Sequence, residues 1–220
     1  KTAYAMLRSL VGSEMCIRDR DSSTKKELKA CILSGGQSTR MGKDKALLKH
    51  HEGDSWLSHK LNILKKLDLE TILLTNHTSH INEISEFHKV NILFDKKPFH
   101  GPLNCMEFLY SKFLGKYDYI LLMPVDMPFI NSKHIEDFIN CWKKNRDIAL
   151  IAHSNKMAQP LLGIYPLNQN NLNKLNERLQ LGKINFQGWT KSIPFHYYFA
   201  KDKEFLNINS LQELKSLNYY

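Results

Sequence analysis

The 220-residue sequence has few cysteines and no long apolar run, and both shortages narrow the class of protein. Its cysteines (Cys16, Cys31, Cys105 and Cys141) are far apart and form no C-x-x-C pair. This spacing argues against a structural zinc site and favours free, buried thiols in a reducing compartment. No apolar stretch reaches the roughly 18 residues that a membrane-spanning helix needs. We therefore expect a cytoplasmic protein that has no membrane partner.

The sequence also lacks a block of charge of one sign. Basic residues outnumber acidic ones by 31 to 22, for a net charge of +9, but the lysines are scattered among polar residues. No DNA- or RNA-binding motif accompanies this charge, so an anionic small ligand is favoured over nucleic acid. The histidines show no metal-ligand spacing, and there is no internal repeat. The composition is that of a globular protein with a sizeable core.

The first residues do not match the rest of the chain. KTAYAMLRSLVGSEMCIRDR fails as a signal peptide, because Arg8, Glu14 and Arg18 interrupt any apolar core. The part SLVGSEMCIRDR resembles translated sequencing-adapter read-through. We therefore expect residues 1–24 to be a non-native or disordered extension, and residues 25–220 to form a single domain.

Short apolar runs typical of β-strands alternate with helical patterns from Lys29 onward. The predicted strands are KACILS, ETILLTN, VNILFD, YDYILLMPVD, DIALIAH, PLLGIYP and SIPFHYYF. The predicted helices are SWLSHKLNILKKL, SHINEISEFHK, PLNCMEFLYSKFL, SKHIEDFINCW, NQNNLNKLNERLQ and SLQELKSL. This alternation predicts a Rossmann-like, doubly wound α/β fold, with a mainly parallel sheet and helices on both faces. The looser pattern beyond residue 155 predicts an added mixed edge region.

Polar or turn-forming groups follow the first four predicted strands. They are the loop SGGQSTRMGKDK, then Asn76, then Asp95 with HGPL, and finally Asp126 within PVDMP. Folds of this kind bind ligands at the carboxyl ends of their parallel strands. We therefore expect these groups to converge at one edge of the sheet and to form a ligand site.

The glycine-rich loop after the first strand fits neither common phosphate motif. Five residues separate the glycines of GQSTRMG where a Walker loop has four, and an aspartate replaces the Walker hydroxyl. Gly35 and Gly36 are adjacent, which excludes the G-x-G-x-x-G fingerprint. Two residues without side chains still permit close approach of a phosphate, and Arg40 and Lys45 add positive charge. An ordinary strand-to-helix turn with exposed basic residues is the alternative.

The wider string LSGGQSTRMGKDKALL resembles the signature of the nucleotidyltransferase family that contains molybdenum cofactor guanylyltransferase. Four further segments are similar to that family in the same order: LLTN, LFDKKPFHGPL, LMPVDMPFI and FLNINSLQEL. The likeness covers residues 30–215. The chain departs from the family pattern at Val125, at Asn104-Cys105-Met106 and at Gln159-Pro160. These departures concern the residues implied to bind the pterin more than those implied to bind the nucleotide.

The resemblance implies transfer of GMP from GTP to molybdopterin or the molybdenum cofactor, with release of pyrophosphate and with Mg²⁺ as cofactor. Arg40, Lys45 and Asp126 are the implied catalytic residues, and Asp126 is the implied metal ligand. The implied nucleotide contacts are Leu33, Ser34, Gly35, Gly36, Lys45, Asn76, Asp95 and Asp126. The implied pterin or metal contacts are Gly101, Pro102, Leu103, Gln159, Asn207 and Asn209. Molybdoenzyme chaperones are further implied partners.

Several alternatives stay open at this point. Asp95 could be a strand-ending turn residue, and Asn207 and Asn209 could serve only to cap the last helix. The transferred group could instead be CMP, or a nucleotide passed to a sugar phosphate. A cofactor-binding module without catalysis belongs to another class, and the intact set of Arg40, Lys45 and Asp126 argues against it.

Overall fold

The structure, a computed structural model, describes residues 26–36, 43–51, 54–95, 100–154, 157–200 and 204–216. Its strands are β1 (Lys26–Ser34), β2 (Thr71–Thr75), β3 (Val90–Phe94), β4 (Tyr117–Pro124), β5 (Ala149–Ser154), β6 (Met157–Pro166) and β7 (Phe195–Phe199). Its α-helices are α1 (Trp56–Lys66), α2 (Pro102–Phe113), α3 (Ser132–Trp142), α4 (Gln169–Gln180), α5 (Phe186–Thr190) and α6 (Leu211–Ser216). Two 3₁₀ helices span Lys45–Leu47 and Thr78–Ile84. The predictions for residues 1–24 and for Arg40 lie outside the described residues.

The strands form one sheet in the order β3-β2-β1-β4-β6-β5-β7. The first four strands in this order are parallel, and β1 lies between β2 and β4. Their carboxyl ends are level, because Ser34 pairs with Thr75 and Leu33 pairs with Pro124. The strand ends from which these loops start therefore lie side by side, as the sequence predicts.

The second half of the chain completes the sheet with mixed pairing. β6 is antiparallel to both β4 and β5, while β7 is parallel to β5. The reversal of β6 follows from its connection, since only two residues separate it from β5. β6 inserts between β4 and β5, and β7 becomes the edge strand. The prediction of a mainly parallel, Rossmann-like sheet with an added mixed region is confirmed.

Helices cover both faces of the sheet. The apolar stripe of α1 (Leu57, Leu61 and Leu64) packs with α3 against one face. α2, α4 and α5 form the core of the opposite face. Side chains of polar residues cap several helices: Ser55 accepts from the backbone N–H of Ser58 at the start of α1, and Asn131 forms a capping box with His134 at α3.

Two elements differ from the sequence-based expectation. SHINEISEFHK was predicted as an α-helix, but the structure has a 3₁₀ helix at Thr78–Ile84. The apolar residues of the segment, Ile81 and Ile84 within the 3₁₀ helix and Phe87 just after it, recur every third residue, which suits three residues per turn. α5 was not predicted, because five residues are too few to show helical periodicity. No helix within the described ranges is long and apolar enough to cross a bilayer.

Candidate active site

A cleft of about 520 Å³ opens where β1, β2 and β4 end. Ten of the residues implied by the family resemblance line it: Leu33, Ser34, Gly35, Gly36, Lys45, Asn76, Asp95, Gly101, Pro102 and Asp126. They come from four separate loops that the parallel strands bring together. The convergence expected from the sequence is therefore present at one edge of the sheet.

Lys45 and Asp126 meet in this cleft. The Lys45 ammonium lies 3.5 Å from Oδ2 of Asp126, and it donates a hydrogen bond of 3.0 Å to Oδ1 of Asn209. Burial raises the pKa of the Asp126 carboxyl above its ordinary value, while the ammonium groups of Lys45 and Lys60 act in the opposite direction. One cation thus reaches two oxygen atoms that come from distant parts of the chain.

The oxygen atoms around Lys45 also suit a magnesium ion. Mg²⁺ prefers hard oxygen ligands and is commonly bound by one or two carboxylates together with substrate phosphates and water. Asp126 supplies a carboxylate oxygen and Asn209 an amide oxygen within reach of a single cation. The described ranges contain no group of three or more His, Cys, Asp or Glu side chains that could hold a metal. A metal at Asp126 would therefore depend on phosphate oxygens and water for most of its ligands.

The segment before α6 lies against the Asp126 loop. The backbone N–H of Ile208 donates to the carbonyl of Asp126 at 2.9 Å, which brings Asn209 to Lys45. The cap of α6 is Ser210, whose hydroxyl accepts from the backbone N–H of Glu213. Asn209 therefore contacts the cleft lysine through its side chain and leaves the capping role to Ser210.

Asn207 and Gln159 contact each other outside the residues that line the cleft. Nδ2 of Asn207 donates to Oε1 of Gln159 at 2.8 Å, which joins the segment before α6 to β6. Oδ1 of Asn207 is buried and has no hydrogen-bond partner in the described part of the chain. Gln159 is two residues from Leu161, a β6 residue that lines the cleft, so the Gln159–Asn207 pair lies beside the cleft.

Gly35 and Asn76 form the contact between β1 and β2 at the cleft. Nδ2 of Asn76 donates to the carbonyl of Gly35 at 3.1 Å, and a Cβ at position 35 would lie 3.0 Å from the same nitrogen. Oδ1 of Asn76 is buried without a partner among the described residues. A side chain at position 35 would therefore crowd the Asn76 amide, which would have to move away by a few tenths of an ångström.

Asp95 lies beside Cys105 on the opposite wall. The Cys105 thiol donates to Oδ2 of Asp95 at 3.4 Å. Burial and the charge of Asp95 raise the pKa of the Cys105 thiol to about 12. The thiol is therefore protonated at neutral pH and acts as a donor to Asp95, which argues against a nucleophilic role for this cysteine.

Leu103 does not belong to the cleft. It is fully buried in the core between α2 and the sheet, although its neighbours Gly101 and Pro102 line the cavity. The reason is helical geometry: α2 starts at Pro102, and Leu103 is turned toward the core with Met106 and Tyr110. The implied contact of Leu103 with a substrate therefore has no counterpart in the cleft.

Sequence reasoning missed a polar network behind the glycine loop. His80 is fully buried, and its Nε2 lies 2.7 Å from Oδ2 of Asp44 while its Nδ1 lies 2.7 Å from Oγ1 of Thr75. Burial raises the pKa of the Asp44 carboxyl, but hydrogen bonds from His80 and from the Ala46 backbone outweigh this effect and hold the pKa below its ordinary value. Asp44 belongs to the Asp-Lys pair of the signature, but nothing in the sequence points to His80 as its partner.

A second missed feature supports the segment that follows Asp126. Three buried side chains of basic residues approach its carbonyl oxygens: Lys60 contacts Met127 at 2.5 Å, His50 contacts Pro128 at 2.9 Å and His59 contacts Ile130 at 2.8 Å. A carbonyl can only accept, so each of these side chains donates. The segment that carries Asp126 is thus anchored to α1 and to the residues before it.

Comparison with known proteins identifies the same family that the sequence motifs resemble. Residues 30–184 match the family model described as the MobA-like NTP transferase domain. A probable molybdenum cofactor guanylyltransferase of Clostridium perfringens is 30% identical over 197 residues, which cover 86% of this chain and 94% of that protein. A protein of Rhodopirellula baltica with the same description is 30% identical over 140 residues, or 62% of this chain and 66% of that protein.

A solved structure shares the fold. The molybdopterin-guanine dinucleotide biosynthesis protein A of Archaeoglobus fulgidus superposes with a TM-score of 0.64, covering 86% of this chain and 95% of that chain at 18% identity. The family match includes the strands and loops that carry Lys45, Asn76 and Asp126, and the cleft is formed by those same loops. This chain therefore belongs to the MobA-like NTP transferase family.

Proposed function

We propose that the enzyme transfers GMP from GTP to the phosphate of molybdopterin or the molybdenum cofactor and releases pyrophosphate. The observation that carries the proposal is the meeting of Lys45, Asp126 and Asn209 in the cleft. Relatives that match over most of the chain are described as guanylyltransferases of the molybdenum cofactor, which supports this nucleotide and this acceptor. The residue roles below are part of the proposal.

GTP would lie with its base and ribose along the ends of β1 and β2. The exposed backbone at Gly36 permits close approach, since nothing lies within 4 Å of a Cβ built there. Oδ1 of Asn76 is a buried acceptor for an N–H or O–H of the nucleoside, and Asp95 lines the same cavity. Leu33, Ser34 and Gly35 complete this half of the cleft.

The triphosphate would lie between Gly36 and Asp126, which both line the cleft. Lys45 supplies positive charge at that position, and Arg40 of the glycine-rich loop would add its forked donors. Mg²⁺ held by Asp126 with Asn209 would neutralise negative charge on the phosphates. Asp126 orients its carboxylate toward Lys45 and is itself held by the hydrogen bond from the Ile208 backbone.

The reaction requires positioning more than proton transfer. A phosphate oxygen of the acceptor attacks the α-phosphorus of GTP and forms a new P–O bond. The bond from the α-phosphorus to the bridging oxygen breaks, and pyrophosphate leaves with that electron pair. The attacking phosphate is already ionised at neutral pH, so no general base is needed. Lys45 neutralises charge that develops on the transferred and leaving groups.

The acceptor would bind next to the triphosphate, toward β6 and the start of α2. Gly101 and Pro102 line that side, and Gln159 and Asn207 form a polar pair at the adjoining end of β6.

The reaction would take place in the cytoplasm. Molybdoenzyme chaperones are proposed as partners that receive the dinucleotide product.

The test is direct detection of the product. Purified enzyme is incubated with GTP, Mg²⁺ and molybdenum-loaded molybdopterin, and dinucleotide and pyrophosphate are measured. We expect guanine dinucleotide, with CTP giving little product in a parallel reaction. Consumption of CTP with GTP ignored would instead identify a cytidylyltransferase. Absence of any dinucleotide would contradict the proposal.

Asp126→Ala should abolish turnover while the protein stays folded, because the cleft loses the carboxylate that would hold Mg²⁺. Rates are compared with those of Asp137→Ala, which changes a partly exposed carboxylate on α3 that pairs with Lys133. Circular dichroism checks the fold of both variants. Unchanged activity in Asp126→Ala would contradict the proposed mechanism.

A further inference from the structure

His80 connects the end of β2 with the glycine loop. It belongs to the 3₁₀ helix at Thr78–Ile84 and has no solvent exposure. Its Nε2 is 2.7 Å from Oδ2 of Asp44, and its Nδ1 is 2.7 Å from Oγ1 of Thr75 and 3.4 Å from Oγ of Ser34. Because the Asp44 carboxylate only accepts, Nε2 donates to it. A single buried imidazole thus contacts two different segments of the cleft wall.

The strand side of this connection is rigidly held. Thr75 is fully buried: its hydroxyl lies 2.7 Å from Nδ1 of His80 and 3.1 Å from the carbonyl of Ser34, and it accepts from the backbone N–H of His77 at 3.0 Å. Ser34 and Thr75 also pair in the sheet. The Nδ1 end of His80 is therefore attached to the level ends of β1 and β2.

The loop side leads directly to Lys45. Asp44 is the N-cap of the 3₁₀ helix at Lys45–Leu47 and accepts from the Ala46 backbone N–H at 3.0 Å. His77 also approaches Asp44, but at 3.9 Å and from a more exposed position. The residue after Asp44 is Lys45, whose ammonium reaches Asp126 and Asn209. By capping the turn that starts at Lys45, the Asp44 carboxylate holds the backbone from which the Lys45 side chain extends into the cleft.

We propose that His80 is a positioning residue for nucleotide binding: through Asp44 it holds Lys45 where the phosphates of the nucleotide bind. The inference rests on the proposed function, because it requires a nucleoside triphosphate in the cleft. Without the bond from His80, Asp44 and the turn that it caps would sample other conformations. Ordering Lys45 on the phosphates would then cost conformational entropy, and the nucleotide would bind more weakly.

Three substitutions of His80 separate its two hydrogen bonds. His80→Gln retains a donor at the position of Nε2, His80→Asn retains only a group at the position of Nδ1, and His80→Phe retains neither. Binding of GTP with Mg²⁺ is measured by calorimetry in the absence of acceptor. We expect the dissociation constant to rise about tenfold in His80→Phe and His80→Asn, and to stay within about twofold of wild type in His80→Gln. Equal weakening of all three, or no weakening, would overturn the proposal.

A double-mutant cycle with Lys45→Ala shows whether His80 acts through the lysine. If it does, His80→Phe weakens GTP binding by less than about twofold once Lys45 is gone. A tenfold effect that persists in the Lys45→Ala background would point to general loosening of the cleft and would contradict the inference. The matched control is His196→Phe, which changes a half-buried histidine on the opposite edge strand β7. It should leave GTP affinity unchanged.

Failure of the two proposals can be distinguished. Melting temperatures are recorded for every variant, and if His80→Phe does not fold, the comparison of His80→Gln with His80→Asn decides. If the wild-type enzyme transfers GMP but the His80 variants bind GTP as tightly as wild type, only the positioning role is refuted. Wild type that neither binds GTP nor transfers GMP refutes the proposed function and this inference together.

Discussion

Gly35 shows most clearly how one residue shapes the cleft. A side chain there would meet the Asn76 amide, whereas the neighbouring Gly36 has open space. The two glycines of the signature thus have different roles. Gly35 permits the Asn76 side chain to reach the Gly35 carbonyl at the ends of β1 and β2, and Gly36 leaves the backbone accessible from the cleft side.

This difference predicts opposite effects of the same substitution. Gly35→Ala should lower the free energy of unfolding by about 1 kcal/mol, because the new methyl group displaces Asn76 from its bond to the Gly35 carbonyl. Gly36→Ala should leave it unchanged or raise it slightly, since alanine reduces the entropy of the unfolded chain. Urea denaturation of both variants measures the effect. Equal destabilisation of the two variants would show that the contact with Asn76 does not determine the effect of the substitution on stability.

At the scale of elements, the segment after β4 illustrates how a loop is made rigid. Asp126 must be held in one place, yet the residues that follow it, from Met127 to Ile130, form neither helix nor strand. Three of their four carbonyl groups, those of Met127, Pro128 and Ile130, accept from the buried side chains of Lys60, His50 and His59. α1 therefore has two roles, since it packs against the sheet and also anchors the loop that carries the metal-binding candidate.

His59→Phe tests this anchoring. Phenylalanine keeps the aromatic stack on His50, whose ring centroid is 3.7 Å away, but removes the donor to the Ile130 carbonyl. An unsatisfied buried carbonyl should lower the free energy of unfolding by about 1–3 kcal/mol. The control His51→Phe changes an exposed neighbour and should stay within about 0.5 kcal/mol of wild type. Chemical denaturation compares the two, and equal stabilities would contradict the role of the hydrogen bond.

At the scale of the whole molecule, the Asp44 network links global stability to pH. The pKa of Asp44 is lowered in the folded protein relative to its ordinary value of 3.8. The unfolded chain therefore binds this proton more tightly than the folded one. The contribution of Asp44 to stability is present above that value and is lost as the pH falls through the lower folded pKa.

Asp44→Asn should therefore reduce the acid sensitivity of the fold. The free energy of unfolding is measured at pH 7 and pH 3 for both proteins. We expect the decrease between these pH values to be smaller in Asp44→Asn than in wild type, even if the variant is less stable at pH 7. An identical decrease in the two proteins would show that this carboxylate does not contribute to acid unfolding.

Much of the fold could be predicted because its signals are local. Apolar runs gave the strands, and the stripe of Ile135, Phe138, Ile139 and Trp142 gave α3, all four of which are buried. The failures were also local in cause. The segment with Ile81, Ile84 and Phe87 resembles an α-helix in sequence although its apolar spacing is three, and α5 is too short to show a period. The insertion of β6 between β4 and β5 was not predicted, because strand order depends on long-range pairing.

Some features of the cleft could likewise be predicted from the sequence, and others could not. The ends of β1, β2 and β4 were predictable as a site, because parallel strands must finish together and each is followed by a polar group. His80 was not, since an isolated histidine in a sequence gives no sign of the two partners that it meets. Asn209 could be named as a contact from the family pattern, but its bond to Lys45 spans 164 positions of the chain.

The sequence by itself therefore determined the class of fold, the edge of the sheet at which the cleft lies and the chemical character of that edge. These depend on periodicity and on the order of strands and loops, which neighbouring residues encode. Only the tertiary structure decided which groups touch: Lys45 with Asp126 and Asn209, and His80 with Asp44 and Thr75. The physical reason is that hydrogen bonds and ion pairs act only over about 3 Å. The segments that carry these groups are far apart in the sequence and come within that distance only when the sheet is assembled.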